Sequence, residues 1–255
     1  MVGPGRIGIV MEHCDTSLAK HIQDRNTTHE ISWAELVRLL IDGSGGLAFI
    51  HEYKKTTHGD VKPDNLLILQ GRLKVSDFGL ASVQRTMTKF TGELSRKGTS
   101  HFMAPEMFLG ESKAASFAMD VWGFGCVIAN VVTGNIPFAS KKQQHDLELA
   151  LKRKESVYVK EQARAGVPKK LLDLIDRCCD YDPRQRPTMK QVEAELRSIL
   201  ESIQARDGFD LPRPWLEHGF SLSDPSWKML ECSDSSEDYQ MIKSRLESEM
   251  GGTVE

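Results

Sequence analysis

Long apolar runs are missing from this sequence. Its most apolar stretch, 121–132, covers 12 residues and is interrupted by Trp122, two glycines and Asn130. A bilayer-spanning helix needs about 20, so the stretch reads as a buried helix and no membrane partner is expected. No long apolar run follows the first six residues either, so no secretory leader is expected. A basic excess is also missing. The net charge is −3, which argues against a general nucleic-acid binder. Cysteine is sparse: Cys14, Cys126, Cys178, Cys179 and Cys232 are odd in number, and no pair has metal-ligand spacing. Cys178 and Cys179 are adjacent, too close for ordinary disulfide geometry. Reduced, mostly buried thiols are expected, in a cytoplasmic setting with a nuclear one compatible.

What remains is an ordinary globular composition, 40% hydrophobic and 27% charged over 255 residues. The charge is uneven. Residues 201–255 carry 12 acidic and 5 basic side chains, a net of −7, which leaves +4 on the first 200. Helix signals dominate the body. Ser32 and Glu35 have capping-box spacing, Ile31 can staple onto Leu36, and Leu36, Leu39, Leu40, Leu47 and Ile50 recur at helical intervals. Further helices are expected near 118–132, 142–154 and 169–180, with Thr188 and Gln191 capping one more that runs to about Ile203. Residues 7–11 suggest a strand. Residues 66–69 and 73–75 suggest a hairpin turned at Gln70-Gly71.

Three clusters carry chemistry. His58-Gly59-Asp60-Val61-Lys62-Pro63-Asp64-Asn65 precedes the hairpin, Asp77-Phe78-Gly79 follows it, and Gly98-Thr99-Ser100-His101-Phe102-Met103-Ala104-Pro105-Glu106 comes after a long polar loop. Phosphoryl transfer asks for a carboxylate to orient a hydroxyl, cations against the phosphate charge, and oxygen ligands for a metal. Asp, Lys and Asn within one loop, and a second Asp across a hairpin, meet that demand. Mg²⁺ suits a few carboxylate or amide oxygens completed by phosphate and water.

In order and spacing these clusters resemble the signature set of eukaryotic-type protein kinases, in the serine/threonine, tyrosine-kinase-like branch. The resemblance covers roughly residues 8–203. It implies a mainly α fold, the large C-terminal lobe of a kinase, with a small β-hairpin at the catalytic cleft. It also implies ATP and Mg²⁺ as cofactors and a protein as substrate. Asp60 would be the catalytic base, Lys62 a contact to the transferring phosphate, and Thr99 a partner of both. Asn65 and Asp77 would hold the metal. Met11 resembles the gatekeeper, Glu12, His13 and Cys14 the hinge that meets adenine, and Leu67 the residue beneath it. His58 and Phe78 resemble members of the hydrophobic column between lobes. Asp120 would brace the catalytic loop, and Glu106 would pair with Arg186.

Two departures stand out. Gly3-Pro4-Gly5-Arg6-Ile7-Gly8 fits the Gly-x-Gly-x-x-Gly spacing, but no strand precedes it and no Val-Ala-Ile-Lys follows. A kinase small lobe needs at least ~40 residues, and ten precede Met11. The expected organisation is a stub of small lobe and hinge over 1–16, a kinase C-lobe over 17–204, and an acidic tail over 205–255. The N-terminal lobe is expected to be missing and this chain alone to be poorly active. Around Trp227 and 238–253 the tail resembles the opening of an ADP-ribosyltransferase domain. Gly59 is the second departure, because kinases regulated by loop phosphorylation carry arginine there to pair with the phosphate. Two rival readings are a pseudokinase scaffold, favoured by the short N-terminus, and an aminoglycoside-type phosphotransferase, which shares His-Gly-Asp but lacks Ala104-Pro105-Glu106 and its Arg186 partner.

Overall fold

A computed structural model describes residues 12–28, 31–77, 99–112 and 116–207. They belong to one compact unit, Met1–Phe209; the second unit, Asp210–Glu255, lies outside the described residues. So do the expected strand at 7–11, Met11, Phe78 and the tail resemblance.

The centre is a helix that is apolar on every side. Helix α4 (Phe117–Thr133) buries Val121, Trp122, Phe124, Cys126, Val127 and Ile128 around its whole circumference, the pattern of a helix with no solvent face. Around it lie α1 (Leu18–Thr28), α2 (Trp33–Glu52), the short α3 (Pro105–Phe108), α5 (Gln144–Lys152), α6 (Lys169–Cys178) and α7 (Met189–Asp207). Helix α2 packs along α7 and against the sheet, and α4 packs on α6. The α4–α6 contact is very close. A side-chain carbon at Gly125 would fall 2.6 Å from Cys179 Sγ and 2.7 Å from Cys178 Cβ, so only glycine fits there.

The helix ends follow their sequence signals. Ser32 Oγ accepts from Glu35 N at 3.1 Å. At the start of α7 the box is reciprocal: Gln191 Oε1 accepts from Thr188 N at 2.8 Å, and Thr188 Oγ1 accepts from Gln191 N at 3.3 Å. Helix α5 begins at Gln144, two residues later than its expected start, and α6 stops at Cys178.

Helix α1 was not expected, because only Leu18 and Ile22 mark its apolar face. Both are buried, at 0% and 3% exposure. Each such side chain stabilises by ~1.5–3 kcal/mol on burial, which offsets an otherwise polar stretch. Ser17 Oγ accepts from Lys20 N at its entry.

The hairpin is β2 (Leu66–Leu69) and β3 (Arg72–Val75), in register Leu66↔Val75 and Leu69↔Arg72. Gln70 and Gly71 turn it with φ of 51° and 75°, the paired positive values of a type I′ turn. The sheet is larger than a hairpin by one two-residue strand, β1 (Thr16–Ser17), paired to β2 through Thr16↔Ile68. Asp42 of α2 clamps β3, taking Arg72 Nε and Nη2 at 2.8 Å each and Leu73 N at 3.1 Å.

Candidate active site

The loop between α2 and β2 holds the first cluster. Its backbone is gripped by one carboxylate from the central helix. Asp120, 1% exposed, accepts from His58 N at 2.7 Å and His51 Nε2 at 2.8 Å on Oδ2, and from Gly59 N at 2.8 Å on Oδ1. Because a carboxylate only accepts, His51 carries its proton on Nε2. Its ring stacks on Phe117 at 4.5 Å. Asp120 therefore braces the loop as the resemblance implied. His51 is a member of this site that sequence reasoning missed. A histidine at the end of a helix, seven residues before His58, was the available signal.

Gly59 has φ of +83°, a left-handed conformation costing ~1–2 kcal/mol for a residue with a side chain. Glycine in place of the more usual arginine thus removes backbone strain from the turn that presents Asp60.

Asp60, Lys62 and Asn65 converge. Lys62 Nζ donates to Asp60 Oδ2 at 2.7 Å; the two side chains are 14% and 21% exposed. Asn65 Nδ2 donates to the same oxygen at 3.0 Å and to the Asp60 carbonyl at 2.8 Å. Two consequences follow. Asp60 Oδ2 is committed, which leaves Oδ1 as the oxygen open to a hydroxyl. The Asn65 amide nitrogen is committed too, which leaves its oxygen as the ligand atom.

The hairpin closes back on this loop. Ser76 donates to the Asn65 carbonyl from both N and Oγ, each at 3.0 Å. His58 Nε2 is 2.8 Å from the Ser76 carbonyl, so it too carries its proton there. Asp77, the next residue, is exposed and has φ of 58°. Aspartate is among the side-chain-bearing residues that adopt this left-handed conformation most readily.

Among the described residues no group of three or more His, Cys, Asp or Glu could hold a metal. A metal between Asn65 and Asp77 would therefore have one amide and one carboxylate oxygen from protein, with phosphate and water completing its shell. That donor set fits Mg²⁺.

The other expected residues fall as follows. Glu12, His13 and Cys14 lead into β1; Glu12 is exposed and pairs with Lys74 Nζ at 2.5 Å. Burial, and the Glu12 charge after it, push the Cys14 thiol above its ordinary pKa. Leu67 is half-buried on β2 between Ser17 and Lys74. Thr99 opens a 3-10 turn, Thr99–Phe102, but its side chain lies outside the described residues.

Away from the cleft, Arg186 and Glu106 form a two-pronged buried pair, with Nη1–Oε1 and Nη2–Oε2 both 2.8 Å. Cys126, Cys178 and Cys179 are buried free thiols, and burial pushes Cys178 and Cys179 well above their ordinary pKa. No helix among the described residues is long and apolar enough to cross a membrane.

A catalytic loop braced by a central helix, closed by a hairpin that delivers a second aspartate, is the architecture of a kinase large lobe. The chain belongs to the protein kinase family, whose domain matches residues 3–195. Among similar proteins are a dual specificity protein kinase, shkD, of Dictyostelium discoideum, 28% identical over 90% of this chain, and the ankyrin repeat and protein kinase domain-containing protein 1 of Homo sapiens, 29% identical over 78%. Mitogen-activated protein kinase kinase kinase 5 of Arabidopsis thaliana is 28% identical over 88%. The matches span 30%, 26% and 29% of those proteins' own lengths. With membership of this family, neither the aminoglycoside-type reading nor the scaffold reading is favoured.

Proposed function

We propose that this lobe transfers the γ-phosphate of ATP to serine or threonine hydroxyls of protein substrates. The observation that carries the reading is the convergence of Lys62 and Asn65 on one oxygen of Asp60, in a loop fixed by Asp120. A hydroxyl placed at Asp60 Oδ1 gives up its proton there as it attacks. Lys62, already 2.7 Å from the other oxygen, holds that carboxylate in place and offers its charge to the phosphate. Asn65 and Asp77 would hold Mg²⁺, which supplies charge neutralisation on the phosphates. Holding the hydroxyl and phosphate in line is where much of the rate arises. Thr99 is assigned to the same cluster, as a partner of Asp60 and Lys62. The backbone of Glu12, His13 and Cys14, with Met11 and Leu67, is assigned to adenine.

The resemblance to the serine/threonine branch supports serine and threonine as acceptors, and the dual specificity names among relatives make tyrosine the alternative to test. The experiment measures transfer from ATP to serine, threonine and tyrosine peptides by the protein and by its Asp60→Asn variant. The expected result is transfer to serine and threonine, abolished by Asp60→Asn. Transfer that survives Asp60→Asn, or that prefers tyrosine, overturns the reading.

A further inference from the structure

His101 lies in the Thr99–Phe102 turn, two residues after Thr99. Its side chain reaches away from the cleft, to the loop that follows α4, where Nδ1 donates to Pro137 O at 2.8 Å. A carbonyl only accepts, so the imidazole carries a proton on Nδ1.

The acceptor is held firmly. The ring of Pro137 sets its own φ. The peptide group that Pro137 shares with Phe138 is trans, so its N–H and its C=O point to opposite sides. On one side Phe138 N donates to Val157 O at 3.2 Å. On the other side Pro137 O meets His101. Phe138 is buried, its carbonyl accepts from Lys141 N at 2.8 Å, and its backbone is left-handed with φ of 53°. A bulky aromatic residue stays in that region only where its surroundings over-determine it. Here they aim one carbonyl at His101, and that carbonyl cannot turn away without breaking the bond from Phe138 to Val157.

The end of the turn rests beside the catalytic loop. A side-chain carbon at Gly123 of α4 would lie 3.0 Å from Val61 O and 3.6 Å from Phe102 O. The two backbones therefore share one bare spot on the central helix, and Val61 is the residue between Asp60 and Lys62. Phe102 is itself buried. From Phe102 back to Thr99 is a single 3-10 turn, ~6 Å of rise. Packing at Phe102 fixes where the turn sits but allows it to roll about that contact. A directional bond from His101 to a fixed carbonyl sets the rotation.

We infer that His101 is a positioning residue for phosphotransfer: its bond to Pro137 O orients the turn that presents Thr99 to Asp60 and Lys62. The inference rests on the phosphotransfer reading above. His101 acts through the turn rather than on a reacting atom. Its loss should therefore lower kcat and leave the KM for ATP unchanged, and its effect should depend on Thr99.

The test compares the protein with two variants. His101→Phe keeps a ring and loses the donor. His101→Asn keeps a donor, because its Nδ2 can stand where Nδ1 stood. His101→Phe is expected to lower kcat by about tenfold or more, within what a small misplacement costs, and His101→Asn to restore most of it. In a Thr99→Ala background His101→Phe should have little further effect, since residues that act together are not additive. Hydrogen exchange supplies a readout without turnover. The Met103 amide, bonded to Ser100 O at 3.3 Å, should exchange about tenfold faster in His101→Phe, the scale of one lost hydrogen bond, and at the parental rate in His101→Asn. A parental kcat in His101→Phe overturns the inference and leaves the phosphotransfer reading standing. So does a loss that His101→Asn fails to restore, or one that persists in full beside Thr99→Ala, because His101 is then structural only. If the parent transfers no phosphate, the phosphotransfer reading falls, and exchange decides the tether. It stands if Met103 exchanges faster in His101→Phe alone, and falls otherwise.

Discussion

Arg186→Ala is expected to destabilise this lobe rather than merely slow it. The arginine side chain is 0% exposed and its partner Glu106 is 11% exposed. Besides the two 2.8 Å bonds to Glu106, Arg186 Nη1 donates to Ala118 O at 3.0 Å and Nε to Asp180 O at 2.7 Å. The guanidinium lies over Trp122, 5.0 Å from the ring centre. Truncation strands the Glu106 carboxylate and leaves two carbonyls without their donor. Removing one partner of a buried pair costs ~3–5 kcal/mol. For a lobe of this size each kcal/mol shifts Tm by ~2–4 °C, so a drop of about 6–20 °C is expected. Thermal melts followed by circular dichroism read it directly. The double variant Glu106→Leu/Arg186→Met separates a stranded charge from lost packing. A neutral, well-filled site costs far less than either single change, because a buried ion pair barely outweighs its own desolvation. An Arg186→Ala protein that melts within about 2 °C of the parent, less than ~1 kcal/mol on that scale, would refute the reasoning. So would a double variant no more stable than the worse single one.

Two further predictions follow from local geometry. Gly125→Ala places a carbon 2.6 Å from Cys179 Sγ, in the packed contact between α4 and the end of α6; a loss of ~1–3 kcal/mol in urea unfolding is expected, and an unchanged midpoint would contradict the contact. Asp182 is held at a pKa of about 2, chiefly by the side-chain bonds from Arg184 and then by the Arg184 backbone N–H. A depressed carboxylate stabilises above its unfolded pKa and loses that contribution as pH falls toward the folded value. The gap in urea midpoint between parent and Asp182→Asn should therefore be present at pH 5 and shrink from about pH 4 down to about pH 2. A gap that widens on acidification would reverse the sign.

The parts of this fold that could be read from sequence are those whose signals are local. The Gln70-Gly71 turn, the Thr188–Gln191 box and the all-apolar stretch of α4 each announce themselves within a few residues. Asp60, Lys62 and Asn65 were singled out by their spacing, and the structure adds that Lys62 and Asn65 both donate to Asp60 Oδ2. Helix α1 escaped because Leu18 and Ile22 are its whole apolar face, and β1 because a two-residue strand exists only through its pairing with Ile68. His51 escaped for a third reason. Its role depends on Asp120, 69 residues away, and nothing near it in the chain reports that contact.

Asp120 also determines how the active site comes apart. Its bonds to His58 and Gly59 fasten the catalytic loop to the most buried helix of the lobe. The loop cannot open on its own without leaving a buried carboxylate short of its donors, a penalty of ~1–3 kcal/mol or more for each. The amides of His58 and Gly59 should then exchange with solvent on the schedule of α4, through cooperative unfolding of the core. Catalytic loop and core form one foldon, and a mutation that softens α4 reaches Asp60 without touching it.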